Sequence, residues 1–149
     1  MPLLIGTDVG LFRTETVPFE EDDLELVLDS GMVTALETFE HTEGVFAATV
    51  DGGYRSFDGG ESWEDLEVPT GSRFWQAGAS EVWSFLATAD GALYASTNDP
   101  FLYRSVDDGE TWAELKGFRE IPSRGHWESP IDPHYARLRV LENVPGRPQ

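Results

Sequence analysis

Two stretches of this chain gather side chains able to grip a ligand. SRFWQAG, at 72–78, holds Arg73 and Trp75. GHWESP, at 125–130, holds His126, Trp127 and Glu128, with Arg124 just before it and His134 shortly after. The stretches echo each other, since Trp75 matches Trp127 and Gln76 matches Glu128. Aromatic faces beside hydrogen-bonding groups on loops make a platform for a planar or sugar-like ligand. The plainer reading, favoured here, is that both tryptophans pack between neighbouring elements or cover the loop. A second set is Asp8, Asp51 and Asp99, which brought together can offer oxygen ligands to a cation. Beside glycine and proline in an acidic chain, they read first as turn-formers, and so does His41. Glycoside hydrolysis needs two carboxylates at a defined separation. Among 28 acidic residues such a pair is easily found and means little. There is no phosphate loop, nucleophile elbow or His pair at metal-ligand spacing. No cofactor is expected.

The charge balance narrows the classes further. The 149 residues carry 28 acids against 10 bases, for a net charge of −18. Lys116 is the only lysine, and the acids are spread along the chain apart from a cluster at Glu20, Glu21, Asp22 and Asp23. Nucleic acid is excluded as a partner, because phosphate binding needs a basic stripe. The pattern resembles the cytosolic proteins of salt-loving archaea, which points to a haloarchaeal source. Self-repulsion of this size destabilises the compact state, and molar salt screens it. Melting followed by circular dichroism is therefore expected to move to higher temperature as KCl rises from 0.1 to 2 M. A flat response would remove the salt-adapted reading. No apolar run reaches membrane-spanning length. MPLLIGTDVG has no basic segment before its short apolar run, so a cytoplasmic location is expected. The absence of cysteine excludes disulfides and thiolate metal sites.

The elements that must position these residues recur. LLIGTDVGLFRTET (3–16), VFAATVDGGYRSFDGG (45–60) and LYASTNDPFLYRSVDDG (93–109) line up on Arg13, Arg55 and Arg104, which are 42 and 49 residues apart. Such a period suits propeller blades, each a four-stranded antiparallel sheet with strands A to D from centre to rim. VTALETF (33–39), EVWSFLA (81–87) and ARLRV (136–140) read as A strands, and LLIGT, VFAAT and LYAST as B strands. GLFRTE, GYRSF and LYRSV read as C strands, and LELVLD, SWEDLEV and TWAELKG as D strands. Gly, Asp and Pro clusters separate them. The expected class is thus all-β, with about three propeller blades in one domain over 1–149. The units are 1–30, which lacks its inner strand, then 31–70 and 81–117, with 136–140 as an extra inner strand.

One sentence of sequence occurs twice, SFDGGESWEDL at 56–66 and SVDDGETWAEL at 105–115. Its shared positions are Ser56, Asp58, Gly60, Ser62 and Trp63, then Ser105, Asp107, Gly109, Thr111 and Trp112. The pattern resembles the Asp-box, or BNR repeat, of sialidases, sortilin-type receptors and photosystem assembly factors. The resemblance implies a β-propeller and, because that family mixes enzymes with non-enzymes, no particular activity. The residues themselves suit a rigid C–D hairpin. An Asp carboxylate caps turn amides, Gly takes a positive φ, and Trp covers a neighbouring sheet. After Thr14 the first repeat has no such box. Sialidases also carry a Phe/Tyr-Arg-Ile-Pro segment. The nearest text here is FREIP (118–122), which has an extra Glu120 and follows the third repeat. No catalytic residue is carried across.

Three blades do not close a ring. Either the chain is a truncated propeller, or two copies exchange strand 136–140 and form a six-bladed homodimer. The leading expectation for function is a non-catalytic scaffold that binds a small ligand or protein partner through its D–A and B–C loops. A glycoside hydrolase and a non-functional remnant are the competing classes.

Overall fold

The computed structural model describes residues 1–69, 81–98, 100–127 and 138–144. Three antiparallel sheets account for the regular structure there, and none closes on itself. The first has three strands, β1 (Leu3–Thr7), β2 (Gly10–Thr14) and β3 (Glu25–Leu28). The second has four, β4 (Val33–Phe39), β5 (Thr42–Thr49), β6 (Gly52–Ser56) and β7 (Glu64–Asp65). The third also has four, β8 (Val82–Ala87), β9 (Leu93–Thr97), β10 (Leu102–Ser105) and β11 (Ala113–Glu114). Within each sheet the strands lie in chain order, so each pairs with the next along the chain. The all-β expectation holds, and the first two A strands and all the B and C strands fall close to where the repeat put them. β7 and β11 are only two residues long. TWAELKG departs from the expectation at its end, where Lys116–Arg119 turns into a short helix, α1. The acidic cluster forms a 3-10 turn over Glu21–Asp23, closed by Asp23 Oδ2 accepting from the Glu20 N–H at 2.9 Å. A second 3-10 turn covers Pro122–His126.

Residues 136 and 137 lie outside the described residues, and Leu138–Val140 form no strand. Residues 138–144 instead run past β8. The Leu141 N–H donates to Ser84 Oγ at 3.3 Å, Asn143 Nδ2 donates to the Ala87 carbonyl at 3.0 Å, and the Arg139 guanidinium lies 5.6 Å from the Trp83 ring centre.

The core lies between the second and third sheets, where side chains alternate in and out along each strand. Phe46 and Ala48 from one sheet meet Val82, Phe85, Ala95 and Tyr103 from the other. Phe85 centres an aromatic chain, 5.5 Å from Phe46 and 6.3 Å from Trp112. Gly53 is glycine because a Cβ there would collide with Phe85 Cζ. Thr34 Oγ1 donates to the Val82 carbonyl at 2.7 Å, which ties the two inner strands. Among the described residues, no helix is long and apolar enough to cross a membrane.

Candidate functional site

The two boxes are closed hydrogen-bond units. Ser56 Oγ donates to Asp58 Oδ1 at 2.8 Å and accepts from the Gly60 N–H at 2.8 Å. The same carboxylate accepts from the N–H groups of Glu61 and Ser62, both at 2.9 Å, and from the Ser62 hydroxyl. Asp107 repeats this with Ser105 at 2.7 Å, the Thr111 N–H at 2.9 Å and the Thr111 hydroxyl. Donation by Ser62 and Ser56 holds the Asp58 carboxyl far below the usual carboxylate range. The Thr111 hydroxyl and N–H, then Ser105, lower Asp107 in the same way. In both boxes each carboxylate oxygen accepts from a donor of its own turn, so both serve the hairpin.

Alanine at Asp58 or Asp107 is accordingly expected to lower the melting temperature by about 3–8 °C per site. Unchanged melting in both variants would remove this role. The pH dependence has a definite sign. Unfolded aspartates take up protons near pH 4, whereas these two stay ionised in the fold to lower pH. Their stabilisation is complete above about pH 4 and is lost as the pH falls through the folded values. Asn variants at both positions should flatten the melting-temperature profile below pH 4.

The arginines that anchor the repeat lock one sheet to the next. Arg13 Nε donates to the Gly59 carbonyl at 3.1 Å, and its Nη2 reaches Glu61 at 3.3 Å. Arg55 Nη1 donates to the Asp108 carbonyl at 3.3 Å and to Asp108 Oδ1 at 2.8 Å. Gly59 and Asp108 occupy the same box position, and both have left-handed backbone, φ 75° and 59°. That conformation costs Gly nothing and Asp little. Each box therefore presents one carbonyl to the arginine of the sheet before it.

Register extends the comparison across whole rows. In the second sheet Glu37, Phe46 and Arg55 lie side by side on the face that the third sheet covers. In the third sheet the same row is Leu86, Tyr94 and Arg104. Phe85, Ala95 and Tyr103 face the second sheet, so this row faces away from it. A cavity of about 1180 Å³ opens on that outer face. Leu86, Tyr94 and Leu102 line its floor, and Leu141, Glu142 and Val144 line a wall. The β4–β5 and β8–β9 turns close its end with His41 and Asp90. Donation from the Thr88 hydroxyl, with the more distant Arg104 charge, holds the Asp90 carboxyl below its usual range.

Glu37 stands behind this cavity on β4. Its carboxylate accepts from Ser84 Oγ at 3.1 Å and from the Phe85 N–H at 2.6 Å. Burial raises its pKa, these two donors oppose the rise, and the charge of Glu142 adds to it. Both oxygens are thus occupied in tying β4 to β8.

The residues expected to form a loop platform fare differently. Arg73, Trp75, Glu128 and His134 lie outside the described residues, as does Asp99. Arg124 donates to the Pro100 carbonyl at 2.9 Å and stacks 5.0 Å from the Phe101 ring centre. Trp127 packs on Phe118 at 5.7 Å. These contacts bring the connection after β11 against the β9–β10 connection, and Trp127 packs within the former. His126 is exposed beside them. Asp8 and Asp51 are exposed turn residues. In the Asp51 turn the Thr49 hydroxyl accepts the Asp51 N–H at 3.1 Å. No group of three or more His, Cys, Asp or Glu able to hold a metal occurs among the described residues. Trp112 Nε1 donates to the Leu66 carbonyl of the second sheet at 2.9 Å, whereas Trp63 Nε1 stays within its own box on the Gly60 carbonyl at 3.2 Å.

Sequence reasoning sought a site in the connections at one end and missed the outer face of the third sheet. Its signal was present in the repeat arginines, because among the described residues no box follows the third sheet for Arg104 to hold. Comparison with protein-family models, with curated proteins and with solved structures finds no match to this chain.

Proposed function

We propose that this chain is a non-catalytic scaffold of the Asp-box β-propeller type, its three sheets being successive blades. It binds a partner through the outer face of its third sheet and through the neighbouring B–C and D–A connections. The observation that carries this reading is the repeated lock. Arg13 holds the Gly59 carbonyl and Arg55 holds the equivalent Asp108 carbonyl. The boxes are spent on joining sheets, which suits a scaffold and leaves no box carboxylate for chemistry. Salt adaptation belongs to the same proposal and rests on the net charge of −18.

The enzyme class is tested directly. The carboxyl with a raised pKa is Glu37, and the charge of Glu142, which lines the cavity, adds to the rise. A glycosidase working there needs one as acid and the other as base or nucleophile. A panel of fluorogenic glycosides, sialosides included, is expected to show no turnover in 2 M KCl. Turnover that Glu37→Gln or Glu142→Gln abolishes, in protein that still melts cooperatively, would replace the scaffold reading with the hydrolase.

A further inference from the structure

We propose that the outer face of the third sheet seats the first sheet of a second copy of this chain, with Arg104 as the clamp. The inference rests on the scaffold reading above and names its partner.

Three observations converge. The first is an unmatched arginine. Arg104 sits where Arg13 and Arg55 sit, stacked 5.9 Å from the Tyr94 ring centre. Its Nε is shut off from water and meets no hydrogen-bond partner. A buried donor left unpaired is costly. Arg13 Nε is satisfied by the connection between the third and fourth strands of the following sheet, whereas Arg55 Nε bonds the Glu43 carbonyl of its own sheet and that guanidinium reaches the equivalent connection through Nη1. The second is an unfilled sheet. The first sheet ends at β1, whose outer edge pairs with no strand among the described residues. Its far face also exposes Leu3 and Leu26, 39% and 47% open to solvent, whereas the equivalent Leu93 of the third sheet is fully covered. The third is the path of residues 138–144. Thr34 and Glu37 of β4 bond to β8 from its second-sheet side. Residues 138–144 bond to β8 through Ser84 and Ala87 and line the cavity on its outer face, beside the place for a following inner strand.

Charge complementarity selects the occupant. In the first sheet, the connection equivalent to a box runs from β2 to β3 and holds Glu20, Glu21, Asp22 and Asp23. Brought against the third sheet of another copy, it offers Arg104 carboxylates where Glu61 and Asp108 serve Arg13 and Arg55. The second copy's β1 edge then lies beside residues 138–144, and its Leu3 and Leu26 cover Leu86, Tyr94 and Leu102. Repeating the contact in the other direction closes two copies into a two-fold ring. Two chains of −18 repel each other, so the ring assembles in high salt, where the Debye length is short.

The test is molar mass by light scattering on a sizing column at about 100 µM protein in 2 M KCl, with circular dichroism on every sample. The full chain is expected at twice 16.6 kDa. Arg104→Glu is expected at the monomer mass with an unchanged β spectrum. Adding Glu21→Arg and Asp22→Arg to Arg104→Glu should restore the double mass by exchanging the charges. These two acids are chosen because Glu20 and Asp23 close their own turn. If Arg104→Glu fails to fold, Leu102→Arg on the same face is the second probe, and it too should give the monomer mass. A folded wild-type monomer overturns the proposal and leaves the scaffold reading intact, since that reading fails only in the glycoside assay. A dimer indifferent to both face variants also overturns the proposal.

Discussion

Replacing Phe85 by alanine is expected to cost about 3–5 kcal/mol, a large effect for a single truncation. The ring is 1% exposed and fills the space between the second and third sheets. It touches Phe46 and Trp112, and Gly53 on the facing sheet has given up its side chain to admit it. Gly53 has no side chain to move into the gap, so a cavity term adds to the lost transfer energy. Total stability of such a chain is on the order of 5–15 kcal/mol, so the variant should be largely unfolded in low salt at 37 °C. Thermal and urea melts of Phe85→Ala beside Val106→Ala, an exposed control, check this. A loss below about 1.5 kcal/mol would mean that the two sheets do not meet through this ring.

Methionine at Arg55 is the second large effect, expected at about 2–3 kcal/mol. The guanidinium side chain is 3% exposed. It donates twice to the Glu43 carbonyl, at 3.0 and 2.7 Å, and twice to Asp108, and it lies between the Phe46 and Phe57 rings. Methionine keeps much of the stem packing and removes the donors, so the measured loss isolates the lock between sheets. The loss should also depend on salt. Glu64, Asp65, Glu67, Asp108 and Glu110 line a small cleft around Arg55, and without its charge they repel one another. The deficit relative to wild type should therefore shrink between 0.1 and 2 M KCl. A deficit that grows with salt would assign the effect to packing alone. Arg13→Met should cost less, because its partner Glu61 is exposed and the first sheet contributes little to the core.

The two variants separate what was legible in the sequence from what was not. Alternation and turn residues placed β1, β4 and β9 to the residue, because a strand's period of two is written in local order. The boxes were legible for the same reason. Asp58 bonds to residues at most four positions away, so its role follows from spacing alone. β11 and α1 were less so, because two ladder pairs and a single helical turn leave little periodic signal.

Contacts across 46 to 53 residues escaped. Arg13, Arg55 and Arg104 stood out as markers of the repeat, yet nothing local told that two of them hold the next box and the third does not. The close approach of Phe85 to Gly53, the carboxylate of Glu37 bonded to β8, and the open face over Tyr94 arise only when sheets stack. The sequence by itself determined the strands, their order and the box turns, since each depends on neighbours along the chain. Tertiary structure alone decided which face of each sheet is covered, because burial depends on which sheet comes next in space, and after the third sheet this chain supplies no fourth among the described residues.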